Sequence, residues 1–208
     1  SSSRPDLVSS SGVLNRPDDE NLVVSLTAVI QHGNTVKTKT FYLLVLQSDA
    51  ELIRMLPVPA GSFGREGYSI TLSAFNIAQY EFTQAQYGAL MGTAVSATLY
   101  NRPQGMCWYD ALVICNRLSM LAEKDPVYTI NGSTDPDDWG AVPTADDEDW
   151  NNVEMDMSAN GYRMPTEAEW EYAARGGHPV QSYLYAGTDT IATVARYDGN
   201  VGGLYPVG

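Results

Sequence analysis

The sequence predicts an α+β fold: small antiparallel sheets and a few capped helices joined by much irregular chain, with a β-hairpin in front. Three observations carry this. Two runs of β-branched and aromatic residues flank a short Gly-Asn turn near the N-terminus. Two Thr-x-x-Gln/Glu capping boxes stand ahead of helical segments. Between them, short apolar runs are broken by Gly and Pro at the spacing of short strands.

The opening SSSRPDLVSSSG is polar and Ser-rich and reads as a linker or the start of a trimmed mature chain. In LVVSLTAVI (22–30), Leu22, Val24, Leu26, Ala28 and Ile30 share one face. HGN (32–34) supplies the turn, and TVKTKTFYLLVL (35–46) the return strand. A hairpin alone is marginal in water, so it is expected to dock on something. Strands are expected near 53–58, 68–72 and 74–80.

Helix 83–92 begins with Thr83 and Gln86 as a reciprocal cap and stops at Gly92. Helix 107–124 places Trp108, Ala111, Leu112, Cys115, Leu118 and Ala122 on a stripe expected to be buried. Residues 131–159 are polar and acidic and are expected to be a loop outside the core. Within them DPDDWG approaches a calcium-loop pattern, but Trp139 takes the third ligand position and Asp146 the twelfth. An EF-hand is therefore not expected, and structural calcium held by loop carboxylates in another geometry is the remaining cofactor candidate.

The last helix lies in NGYRMPTEAEWEYAARGG (160–177). Its three glutamates look like acid–base chemistry, yet each has a structural role. Pro165 precedes the helix, and Thr166 and Glu169 form the second capping box. Glu167 and Glu169 sit in the first turn, where the helix dipole favours anions. Glu171 and Arg175 are an i,i+4 pair. Trp170, Ala173 and Ala174 are expected to face the core, Arg163 flanks the segment, and Gly176 with Gly177 ends it. These residues are expected to build the fold rather than to catalyse.

Composition narrows the function. With a net charge of −13, clustered cations for nucleic acid or an anionic membrane are not expected. No run of 18 apolar residues exists to span a bilayer, and no signal peptide is visible at the start. Cys107 and Cys115, on one helix, would be about 12 Å apart, beyond the ~7 Å Cα limit of a disulfide, so free thiols are expected. With no histidine near them, a zinc site is not expected, and Cys115 reads as a small core hydrophobe.

GYRMPTEAEWEYAARGG resembles the central signature of the formylglycine-generating-enzyme (sulfatase-modifying factor) family. MLPVPAGSFGREG (55–67), ITLSAFNIAQYEFTQAQYGALMG (70–92), CWYDALVICNRLS (107–119) and ARYDGNVGGLYPVG (195–208) resemble further segments of it, in order. The resemblance implies a C-type-lectin fold, two main helices around small twisted sheets, over residues 51–208. Residues 1–50 resemble the end of a bacterial Ig-like module. The enzymes of the family carry a copper-binding cysteine pair in the C-terminal part of the domain, and other branches use a His-rich iron site. Cys107 and Cys115 match helix positions instead, and His32 and His178 lie in no metal-spacing motif.

The resemblance therefore points to the family's non-catalytic branch, the variable proteins of diversity-generating retroelements, and most to the treponemal one. The expectation is a non-enzymatic, monomeric, surface-displayed scaffold that binds a protein or cell-surface ligand. No catalytic or metal residues are assigned within the chain, and the ligand-binding positions are expected C-terminal to Gly208. A cell-surface or extracellular place, reached through a lipid anchor on a removed N-terminal segment, goes with it. Two alternatives stay open: a copper oxygenase with its cysteines beyond residue 208, and an adhesive surface module using the 131–159 loop.

Overall fold

The computed structural model describes residues 1–17, 22–45, 52–65, 67–177, 183–197, 199–200 and 202–207. The expected boundary near residue 50, the strand end at residue 46, His178 and Gly208 lie outside the described residues. The chain divides into two compact units. One comprises Ser1–Leu52, Glu81–Arg163 and Pro206–Gly208, the other Ile53–Tyr80 and Met164–Tyr205.

The first unit opens with the expected hairpin. Strand β1 (Leu22–His32) pairs antiparallel with β2 (Thr35–Val45), from Leu22 opposite Val45 to His32 opposite Thr35. The turn needs one left-handed residue, and Gly33 takes it at φ 58°. Leu7, Val8, Val24 and Val45 are buried together, with Leu22 and Leu26 packed against them. The hairpin thus docks on the leader.

Helix α1 (Gln84–Met91) starts where expected. The Thr83 hydroxyl accepts from the Gln86 amide at 3.3 Å, and the Gln86 side chain accepts from the Thr83 amide at 2.7 Å. Helix α2 (Trp108–Leu121) is the core element of this unit. Its buried residues are Tyr109, Leu112, Val113, Ile114, Cys115, Asn116, Leu118 and Ser119. The expected stripe was rotated and too narrow: Trp108 is 45% exposed, Ala111 is only partly buried, and Ala122 is the exposed C-cap. The helix is covered on more than one side, so apolar spacing alone misplaces its inner face.

Residues 131–159 correct the sequence reading most clearly. They hold a short α3 (Glu148–Asn151), and their β8 (Glu154–Met155) pairs with β7 (Tyr128–Thr129). Trp139 and Trp150 are 7% and 4% exposed and meet edge-on at 5.7 Å between ring centres. Trp150 also meets Tyr109 of α2 at 5.5 Å. Burying two indoles brings an acidic segment into the core while its carboxylates stay outside.

The second unit contains β3 (Met55–Val58) paired with β6 (Phe75–Ala78), and β4 (Gly61–Arg65) paired with β5 (Tyr68–Leu72). The β5 strand matches the expected 68–72 at both ends, and β3 and β6 match the expected strands with shorter ends. The β4 strand, GSFGR, was not expected, because two glycines hide its alternation. Helix α4 (Glu167–Ala174) lays Tyr172 on this unit's core of Val58 and Phe63, with Ile70, Leu72, Phe75 and Ile77 around it.

Candidate functional site

The signature segment 160–177 enters through Gly161. A β-carbon there would strike the Asp125 carbonyl and the Ser119 side chain. With glycine in place, the Tyr162 amide donates to Ser119 Oγ at 2.7 Å, and that hydroxyl donates to the Cys115 carbonyl at 2.8 Å. The Asp125 amide donates to Asn160 Oδ1 at 2.8 Å.

Helix α4 is capped at both ends. The Thr166 hydroxyl accepts from the Glu169 amide at 3.2 Å, and Glu169 Oε2 accepts from the Thr166 amide at 2.8 Å. At the other end Gly176, at φ 86°, turns the chain. The Gly177 amide then reaches the Tyr172 carbonyl and the Gly176 amide the Ala173 carbonyl, both at 2.9 Å, which is a Schellman motif. Glu171 accepts from Arg175 at 2.7 and 3.0 Å and pairs with Arg65 at 3.1 Å. Arg65 also pairs with Glu167, whose carboxyl it holds below the ordinary glutamate value through that hydrogen bond and its charge.

One expectation about this helix fails. Trp170 is 61% exposed, and Ala173 and Ala174 are only partly buried; the buried residues are Glu169 and Tyr172. Two residues are about 200° apart around a helix, so with Tyr172 inward Trp170 must point away. The Tyr172 hydroxyl sits over Gly61, where a β-carbon would collide with it. Tyr172 and Gly61 are the contact that sequence reasoning missed. Trp170 and Tyr172 compete for one inner face, and the close approach at Gly61 decides for Tyr172.

The three glutamates therefore serve a cap, an ion pair and a bridge between two arginines. Each carboxylate is committed to a cap or an arginine, an arrangement that builds the helix ends rather than an acid–base pair. The two cysteines are free thiols and do not converge: Cys107 is exposed and Cys115 is buried. Burial pushes the Cys115 thiol up to about 12, against the opposing charge of Arg163. Cys107 is the N-cap of α2, where its sulfur accepts from the Asp110 amide and Asp110 accepts from the Cys107 amide at 3.1 Å. This cap was invisible in the sequence because cysteine is not an ordinary N-cap residue. A copper ion needs two thiolates at one point, and this donor set does not fit it.

The acidic segment's carboxylates diverge in the same way. Asp135 caps the 3-10 turn Pro136–Asp138, Asp137 pairs with Arg117 at 2.7 Å, and Asp138 accepts from Ser133 at 2.7 Å. Asp146 accepts from Asn151 at 2.9 Å. Among the described residues no three His, Cys, Asp or Glu side chains are grouped to hold a metal ion. An open cleft of about 410 Å³ lies at the start of α2, lined by Cys107, Tyr109, Asp110 and residues 142–145. Among the described residues no helix is long and apolar enough to cross a membrane.

This arrangement of small antiparallel sheets, capped helices and long irregular connections is a C-type-lectin-like fold. Residues 25–207 match the sulfatase-modifying factor enzyme 1-like domain, and the chain belongs to that family. Residues 1–48 match the atrophied bacterial Ig domain. The chain is 40% identical over 188 residues to the chaperone protein LppX of Paenibacillus barcinonensis, covering 86% of this chain and 61% of that one. Among solved structures it is similar to Treponema denticola variable protein 1, at 28% identity and a TM-score of 0.55 over 81% of this chain and 62% of that one. It is also similar to CarF, at 26% identity and a TM-score of 0.55 over 68% and 66%. The chain spans about three fifths of the length of LppX and of the variable protein.

Proposed function

We propose that the chain is the scaffold of a non-enzymatic ligand-binding protein, displayed at the cell surface or outside the cell. The observation that carries this is the employment of the signature. Glu167, Glu169, Glu171 and Arg175 are all engaged in caps and ion pairs. The two thiols point to different environments. The likeness to a variable protein supports the same reading. In it, residues 52–207 hold a framework, the ligand-contacting positions lie C-terminal to Gly208, and residues 1–50 are a reduced Ig-like module that carries the domain. A lipid anchor would hold it at the surface. The molecule is a monomer that meets a protein or cell-surface ligand. Among the described residues no metal or other cofactor is assigned a role.

The test is to sequence the reading frame downstream of Gly208 in several clonal isolates. Substitutions crowded into one short segment, with residues 52–208 unchanged, are the expected result. An unvarying segment containing a cysteine pair, together with copper-dependent oxidation of a sulfatase-type cysteine peptide, would overturn the proposal in favour of the oxygenase.

A second reading rests on the 40% identity to a chaperone protein. In it the same scaffold holds a client polypeptide. Suppression of the aggregation of reduced insulin by the purified protein at stoichiometric amounts would favour it.

A further inference from the structure

Among the described residues, the β1–β2 hairpin leaves its β2 edge without a further strand. Its two-residue turn makes His32–Thr35 a hydrogen-bonded pair, so Ile30–Lys37 and Ala28–Lys39 are hydrogen-bonded as well. The amides and carbonyls of Val36, Thr38 and Thr40 therefore point away from β1. The β1 edge obeys the same alternation and is already occupied. Ser25 and Thr27 face outward there, and they bond the leader: the Ser3 amide donates to the Ser25 carbonyl at 2.9 Å, and the Thr27 amide to the Ser1 carbonyl at 2.8 Å. The Ser1 amine completes this short added strand by donating to the Thr27 carbonyl at 2.7 Å. Among the described residues no strand pairs with β2 on its other side.

The chemistry of that open edge differs from the rest of the molecule. The chain carries a net charge of −13, yet residues 22–45 contain no Asp or Glu. Lys37 and Lys39 stand on the same face as Ile30 and Phe41, which are 68% and 50% exposed, and Lys39 Nζ lies 6.0 Å from the centre of the Phe41 ring. The opposite face offers Val36, 55% exposed, with Thr38 and Thr40. Two copies of β2 set edge to edge would bring lysines against lysines, which blocks self-pairing. A strand with carboxylates at alternate positions would instead pair with both lysines, in the close non-hydrogen-bonded positions of the new ladder.

We propose that the β2 edge between Val36 and Thr40 is a docking site for an extended acidic segment of a partner protein. The segment adds as a third strand, with Glu or Asp alternating with Val or Thr. Backbone bonds to Val36, Thr38 and Thr40 supply affinity, and Lys37 and Lys39 select the partner's charge. This site is separate from the ligand-contacting positions of the scaffold.

The test uses the full chain and two blocked peptides, Ac-SVETEVS-NH2 and Ac-SVKTKVS-NH2. The acidic peptide is expected to bind, to weaken as salt is added, and to slow amide exchange at Val36, Thr38 and Thr40 by about tenfold or more. The lysine peptide is expected not to bind. Thr38→Pro removes an outward amide that takes no part in the β1–β2 ladder, so it should abolish binding and leave thermal unfolding unchanged. Should that variant fail to fold, Lys37→Glu with Lys39→Glu decides alone, by exchanging the peptide preference. Failure of the acidic peptide to protect the three amides would overturn the proposal. So would undiminished binding to a folded Thr38→Pro protein, an unchanged preference after charge reversal, or pairing of this edge with a second copy.

Discussion

Asn116 offers the sharpest test of how this fold is held together. It is fully buried on α2, and its side chain makes three bonds to backbone on the neighbouring segments. Nδ2 donates to the Tyr128 carbonyl at 2.6 Å and to the Thr134 carbonyl at 2.8 Å, and Oδ1 accepts from the Tyr128 amide at 3.0 Å. In Asn116→Ala all three backbone groups lose that partner, the two of Tyr128 in a buried site and the Thr134 carbonyl in a partly buried one. At about 1–3 kcal/mol for each of the two buried groups, the variant is expected to be destabilised by about 2–6 kcal/mol. Urea unfolding followed by tryptophan fluorescence suits the measurement, since Trp139 and Trp150 are buried in the same unit. Asn116→Asp adds a check by pH. Its carboxylate would face two carbonyl oxygens, so its folded pKa is raised above the unfolded value of about 3.9. The folded state then binds more protons than the unfolded one, and stability falls as pH rises from about 4 through the folded pKa. The deficit against the parent protein should be smallest near pH 4 and grow toward neutrality. A loss below about 1 kcal/mol for Asn116→Ala, or a deficit for Asn116→Asp that does not change with pH, would refute the reasoning.

Other outcomes follow from the same geometry. A thiol reagent at pH 8 should label Cys107 rapidly and Cys115 only after urea unfolding, as mass mapping of labelled peptides would show. Thr166→Ala should cost about 1 kcal/mol through the lost cap, measured by thermal or urea unfolding. Gly161→Ala should cost more, about 2–3 kcal/mol or above, because backbone must move to admit the methyl group. The Glu167 carboxyl should titrate below its ordinary value by NMR, and Arg65→Gln should return it upward. Because that pKa is depressed in the folded state, the contribution is present at neutral pH and is lost as pH falls through the folded value.

The local devices were legible because each is written in neighbouring residues. Both Thr capping boxes, the Gly33 turn and the Glu171–Arg175 pair depend on spacings of four residues or fewer, and each forms as the spacing predicts. The order of five motifs carried the family and the C-type-lectin fold, because such an order records a whole chain path. The faces of the helices were not legible. Trp108 and Trp170 look like core residues by hydrophobicity, yet both are exposed. Trp139 and Trp150 sit in what reads as an acidic loop, yet both are buried. An indole gains by burial only where a partner offers a matching surface, and that surface comes from residues far away in sequence.

By itself, then, the sequence determined where the two Thr-capped helices begin and stop, which strands form the hairpin, and to which family the chain belongs. These follow from short-range hydrogen bonding and from motif order. Tertiary structure decided which side of each helix is inside, that Cys107 caps α2 while Cys115 lies in the core, and that Asn116 and Ser119 tie α2 to segments 12 and 43 residues away. The physical reason is that burial and hydrogen-bond satisfaction depend on what packs against a residue, and only the folded chain supplies those partners.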